Sequence, residues 1–188
     1  MSEWLQSITR NLNEPSLLEF GFTVSYVQNE NFSNLLHQDL DSSCTKWERY
    51  SAQVGMHELA PNRPGLYMFV WAPPSLALKT DTASLSFRIP IYIGKAEGSL
   101  QERLRSEYNA ILREASPDSF WINSPGENRK TRLLRYFSLK PLEYWCCISS
   151  NPDLLPNLES RLVRLFNPPG NKQRKLRAIA PSEKIWRT

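Results

Sequence analysis

Histidine and cysteine are scarce in this chain. The two histidines are His37 and His57, and the three cysteines are Cys44, Cys146 and Cys147, with no C-x-x-C pair. That leaves little material for a zinc site, a histidine-centred metal site or a Ser-His-Asp triad. An odd cysteine count with two adjacent residues fits a reducing compartment. Any metal should therefore sit on oxygen ligands, and no zinc is expected. Long apolar runs are also missing: nothing approaches the roughly 18 apolar residues of a membrane-spanning helix, and the N-terminus lacks a basic segment followed by an apolar run. The expectation is a soluble, cytoplasmic protein with no membrane partner. The 188 residues contain no repeat and suffice for one sizeable core.

What is present is an uneven charge. Residues 1–60 carry three bases against eight acids, whereas the remaining 128 carry twenty bases against eleven acids. A basic surface gathers polyanions by releasing their counterions, so nucleic acid is a candidate partner for the C-terminal two thirds. An ordinary basic domain would look the same by charge alone.

Hydrophobic spacing predicts a short helix over residues 2–12, a strand near 22–27 and a helix near 32–40, together forming an acidic extension of residues 1–58. The turn cluster at 61–64 leads into Gly65-Leu66-Tyr67-Met68-Phe69-Val70-Trp71, apolar enough for a buried strand. A second strand covers 89–93 and ends on Gly94, with Pro90 marking an edge or a strand beginning. Leu100, Leu104, Tyr108, Ile111 and Leu112 recur at helical spacing, which predicts an amphipathic helix from Ser99 to about Ala115. A basic helix around 132–137, a third strand at 142–148 and a helix from Pro156 to Phe166 follow. Residues 59–188 form the second unit, with a basic tail.

Taken singly, the polar residues on these elements have ordinary structural roles. Tyr67 and Tyr92 could be core tyrosines, Arg103 could pair with Glu107 across one helical turn, and Glu159 could answer the helix dipole. Their joint order is more informative. Gly-Leu-Tyr at 65–67, Tyr-Ile-Gly-Lys at 92–95, Arg103 on the next helix, Glu159 and then Asn171 resemble the GIY-YIG nuclease superfamily, over about residues 61–173. The block from Pro156 to Asn171 is similar to that family's glutamate helix and its Pro-x-x-Asn ending. Residues 92–96 are similar to the same region of the bacterial excision-repair incision subunit.

The resemblance implies an α/β fold, more strictly α+β: a small three-stranded antiparallel central sheet flanked by helices, with an N-terminal extension available for DNA recognition or dimerisation. It also implies endonucleolytic hydrolysis of DNA with one Mg²⁺, or Mn²⁺ as substitute, per active site. Glu159 is the implied metal ligand, a hard oxygen donor suited to Mg²⁺. Arg103 offers a forked donor to a phosphate oxygen, and Lys95 could polarise the same group or the attacking water. Tyr67 would position and deprotonate that water, which a free phenol titrating near pH 10 can do only beside positive charge. Tyr92 would orient the water or the phosphate, and Asn171 would hold the loop behind the glutamate. Arg105, Arg129, Lys130, Arg132, Lys172, Arg174 and Lys175 are the candidates for contacting nucleic acid.

Three features depart from the family's pattern. Tyr67 and Tyr92 stand 25 positions apart, about twice the family's usual separation, which places an insertion at 73–87. The family often has a histidine or tyrosine one turn after the arginine, where this chain has Glu107 followed by Tyr108. The spacing from Tyr92 to Arg103 is one residue longer than in the excision-repair relatives, so Arg105 is an alternative to Arg103. The compact stand-alone character is closest to restriction-type members, for which a homodimer matches palindromic sites. A single-strand- or structure-specific nuclease stacking bases on Trp71, Trp121 or Trp145 is a second reading. A non-catalytic nucleic-acid-binding module is a third.

Overall fold

The segment from Leu66 to Val70 is apolar on both faces, and such a strand is stable only where both faces are covered. In the computed structural model it is β2 (Gly65–Trp71), buried at six of its seven positions. Residues 28–73, 77–79, 84–121 and 128–171 are described, with Glu3, Gln6, Ser7 and Tyr26 and with the backbone alone at 77–79 and 84–86. The helix expected at 2–12 and the strand at 22–27 otherwise lie outside the described residues. β2 pairs antiparallel with β5 (Ile89–Ala96) on one side and β6 (Leu142–Ile148) on the other. β1 (Glu48–Ser51) pairs with the far side of β6.

The central sheet therefore has four strands in the order β1-β6-β2-β5, not the three expected. The extra strand is Glu48-Arg49-Tyr50-Ser51, exposed at three of its four residues. It carries no apolar alternation, and backbone pairing at a sheet edge holds it. The insertion contributes β3 (Ala77–Lys79) and β4 (Ser84–Ser86), which pair as a separate two-stranded ribbon.

Alternation along β2 divides the core into two layers. Leu66, Met68 and Val70 pack with Leu36 of α1 (Glu30–Ser43) and with Leu155, Leu158 and Leu162 of α5 (Leu155–Phe166). Tyr67 and Phe69 face the opposite layer. That layer is covered by α2 (Leu100–Arg103), a π-helical turn (Leu104–Tyr108), α3 (Asn109–Glu114) and α4 (Arg129–Phe137). Opposite Phe69 and Val70, β5 carries one unpaired residue, Ile91, because Phe69 pairs with Tyr92 and Val70 with Pro90. This bulge lets Ile91 and Tyr92 both join the Tyr67 layer. Pro90 sits on the edge strand, where its missing N–H costs nothing. No helix among the described residues is long and apolar enough to cross a membrane.

Residues 30–51, assigned from sequence to an extension, are thus continuous with the sheet and its core. The ion pair between Asp39 and Arg161 also joins α1 to α5. Truncating Leu36, only 3% exposed, to alanine should cost about 2–5 kcal/mol in urea unfolding. An unchanged midpoint would mean that α1 is an independent appendage.

Candidate active site

Residues 65–67 and 92–94 lie side by side because β2 and β5 pair Tyr67 with Gly94. The Tyr67 ring covers that glycine so closely that an added Cβ would collide with the phenol oxygen. Ser99 caps the next helix by accepting from the Glu102 N–H at 3.1 Å. The first turn is anchored to the loop before β2, where Leu100 N donates to Arg63 O at 2.9 Å. Arg103 is thereby brought over the strand ends, and α5 supplies Glu159. Tyr67, Tyr92, Lys95, Arg103 and Glu159 line one open pocket of about 680 Å³. Of the six residues expected to be catalytic, Asn171 alone is absent from its wall.

Behind the pocket, three phenols meet. Tyr67 and Tyr108 share a hydrogen bond at 2.6 Å, and Tyr108 donates to Tyr92 at 3.2 Å. The π-helical turn accounts for Tyr108: one extra residue in the turn lets a side chain five positions after Arg103 reach the strand tyrosines. Burial raises the Tyr67 pKa, and Tyr92 adds to the effect, while hydrogen bonds from Tyr108 and Arg103 pull it down without winning. Tyr67 is therefore a neutral phenol near pH 7. Burial raises the Tyr108 pKa as well, with its two tyrosine neighbours contributing.

Glu159 is partly buried, and that burial raises its carboxyl pKa against the pull of Lys95 and Arg103, with Glu97 adding a smaller upward push. Lys95 is ion-paired with Glu97, and Arg103 with Glu107. The Arg103 Nε is buried without a hydrogen-bond partner, while the side chain as a whole is 41% exposed. Among the described residues no group of three or more His, Cys, Asp or Glu could hold a metal. A single desolvated carboxylate on a roomy pocket fits Mg²⁺, which retains several waters and takes one or two carboxylates plus substrate oxygens. It does not fit zinc, which requires three or four protein ligands.

Asn171 holds the edge of the sheet. Its Oδ1 accepts from Ile93 N at 2.9 Å and its Nδ2 donates to Ile93 O at 2.8 Å, while Gly170 N donates to the bulged Ile91 O at 2.7 Å. The chain reaches this position because α5 ends at Asn167, whose φ of 41° is left-handed, before the two prolines.

The described candidates for nucleic-acid contact are each engaged within the chain. Arg105 pairs with Glu102 at 2.6 Å, Lys130 with Glu114 at 2.8 Å and Arg129 with Glu107 at 2.7 Å. Arg132 Nε donates to Gly170 O at 3.0 Å. Lys172, Arg174 and Lys175 lie outside the described residues. Sequence reasoning assigned Tyr108 only to the apolar face of a helix and gave Arg129 a phosphate. No residue pattern announces a π-helical turn, and the ordinary i to i+4 spacing pointed to Glu107 instead. Comparison with known protein families, characterised proteins and solved structures finds no match for this chain.

Two stability measurements test this geometry. Asn171→Ala should lower stability by about 1–3 kcal/mol by removing two hydrogen bonds, and should speed hydrogen exchange at the Ile93 amide. Unchanged exchange there would refute the edge-holding role. For Glu159, a carboxyl pKa raised in the folded state makes stability fall as pH rises from the unfolded pKa through the folded one. Glu159→Gln should accordingly be more stable than the parent at neutral pH, with the advantage vanishing in acid below the unfolded pKa. Mg²⁺ should raise the melting temperature of the parent and not of Glu159→Gln.

Proposed function

We propose that this chain is a Mg²⁺-dependent endonuclease of the GIY-YIG type that hydrolyses phosphodiester bonds in DNA. The observation that carries the reading is the convergence of Tyr67, Tyr92, Lys95, Arg103 and Glu159, from two strands and two helices, on one pocket. Their order along the sequence carried the resemblance, and gathering them in space is what a shared reaction requires. The pairing of the two tripeptides on adjacent antiparallel strands supports the same fold assignment.

In this reading the attacking water forms a bond to phosphorus as the bond to the leaving ester oxygen breaks, its proton passing to solvent and the departing oxygen taking one from solvent. Arg103 binds a non-bridging oxygen of the phosphate through the exposed part of its guanidinium fork. Lys95 turns from Glu97 toward the same group. Tyr67 and Tyr92 orient the water, and the raised pKa of Tyr67 makes orientation rather than resting-state proton removal its contribution. Glu159 would hold Mg²⁺, which when bound neutralises phosphoryl charge and steadies the departing oxygen.

A restriction-type enzyme cutting both strands as a homodimer is the specific form we favour, acting in the cytoplasm. Packing of the indoles weighs against the single-strand alternative, since Trp71 and Trp121 pack on one core cluster and Trp145 on the other. Trp121 donates to Ser7 at 2.7 Å, Trp145 to Glu143 at 2.9 Å and Trp71 to the Lys140 carbonyl at 3.3 Å. A base-stacking platform would leave their faces free.

The assay is incubation with plasmid, single-stranded DNA and RNA, in Mg²⁺ or chelator, followed by sequencing of product ends. Discrete double-strand cuts in Mg²⁺ alone are expected. Arg103→Ala should lose about 10²–10³ in rate, and Glu159→Gln should remove metal-dependent turnover. Full activity in Glu159→Gln would sink the metal assignment, and preferential degradation of single strands would overturn the restriction form.

A further inference from the structure

Arg129 begins α4, and its guanidinium is turned onto the back of the candidate site. A single nitrogen, Nη2, lies 2.8 Å from the Tyr108 hydroxyl, 2.7 Å from Glu107 Oε2 and 3.3 Å from the Tyr92 hydroxyl. The guanidinium carbon stands 5.5 Å from the Tyr108 ring centre and 5.9 Å from that of Tyr92. Glu107 completes a bridge, with Oε2 on Arg129 and Oε1 on Arg103.

We propose that Arg129 is a positioning residue for the hydrolysis assigned to this pocket: it orders the Tyr108, Tyr92 and Tyr67 hydroxyls and, through Glu107, fixes the Arg103 fork. The proposal rests on the nuclease reading. A guanidinium donates and never accepts. The oxygens of Tyr108 and Tyr92 are therefore acceptors toward Arg129, and their own protons must turn elsewhere. With Tyr108 donating to Tyr92, the Tyr67 hydroxyl is left to donate to Tyr108, and Arg129 holds the two acceptor oxygens in place. The bond from Arg129 polarises the Tyr108 hydroxyl and strengthens its donation to Tyr92.

The Glu107 bridge acts on the second group. Arg103 has a long, rotatable side chain, and pairing with Glu107 alone would let both swing together. Tying the other carboxylate oxygen to Arg129, on a different helix, holds the carboxylate at two points. The Arg103 side chain is then restrained at Nη1, and its Nε is left without a partner.

The rival role is a direct phosphate contact, which the 46% exposure of the Arg129 side chain permits. The two roles separate in kinetics. A phosphate contact contributes to binding, and its loss lowers affinity and reduces the salt slope by about one. A positioning residue lowers the rate of the chemical step while leaving affinity alone.

The test uses the full chain and a duplex that it cuts. Binding is measured with Ca²⁺ in place of Mg²⁺ over a range of salt, and single-turnover cleavage is measured in Mg²⁺. Arg129→Met should slow cleavage about 10- to 100-fold with dissociation constant and salt slope unchanged. Arg129→Lys should recover little of the rate, since one ammonium cannot reproduce the fork. Glu107→Gln, which keeps the shape and weakens the bridge, gives a second variant if Arg129→Met fails to fold, and should slow cleavage without altering affinity. An unchanged rate overturns the proposal. So does a loss confined to affinity, with a shallower salt slope, that Lys restores. If the parent protein cleaves no nucleic acid, the nuclease reading fails and this role fails with it. Cleavage by the parent that is indifferent to Arg129 overturns the positioning role alone.

Discussion

Where β2 and β5 run side by side, the phenol of Tyr67 lies across the backbone of Gly94, leaving no room for a side chain. Glycine inside a strand costs conformational entropy and removes a packing surface, so its presence at this position needs a compensating contact. The contact is the tyrosine itself, 1% exposed and packed within 6.3 Å of the rings of Tyr92, Tyr108 and Tyr144. That ring lines the pocket together with Arg103, and its hydroxyl meets that of Tyr108. The geometry of the site follows from a strand pairing more than from any loop.

Long apolar strands and amphipathic helices were legible in the sequence because their periodicity reports burial. β2, β6 and α5 fall where the pattern placed them, and Asn171 bonds the backbone of Ile93. Strand β1 was not legible: its side chains are polar and exposed, and its stabilisation is backbone pairing to β6, which leaves no trace in composition. The π-helical turn was equally silent. Leu104 and Tyr108 fit an ordinary amphipathic helix, and only tertiary packing reveals that the extra residue carries Tyr108 to the strand tyrosines. The engagement of Arg129 within the chain was illegible for a related reason. A basic residue in a basic stretch suggests solvent or phosphate, whereas its partners are the Tyr92 phenol on β5 and the Tyr108 phenol and Glu107 carboxylate on the π-helical turn.

The edge of the sheet shows one segment serving two purposes. β5 ends the strand order, so its outer backbone groups would be left open. Gly170 and Asn171 close them, and the bulge at Ile91 offers the carbonyl that Gly170 uses. The same α5 that leads to this closure carries Glu159 into the pocket. Helix position and edge protection are therefore coupled: a change that loosens the loop after α5 also loosens the carboxylate, without touching the pocket wall.

Charge balance in the pocket bears on how a phosphate could enter. Lys95 and Arg103 are the two cations on its wall, against the three carboxylates of Glu97, Glu102 and Glu159. Both cations are ion-paired with glutamates. A phosphodiester approaching this arrangement gains little, because each cation must exchange one anion for another and the wall as a whole is slightly negative. Burial has already raised the Glu159 pKa, so its charged form is held at a cost that an adjacent cation would relieve. In the nuclease reading, a divalent ion beside Glu159 reverses the sign of the wall and makes the exchange of Glu97 and Glu107 for phosphate favourable. In that reading metal and substrate bind as mutually dependent partners, and the site stays electrostatically closed to phosphates until the ion is present.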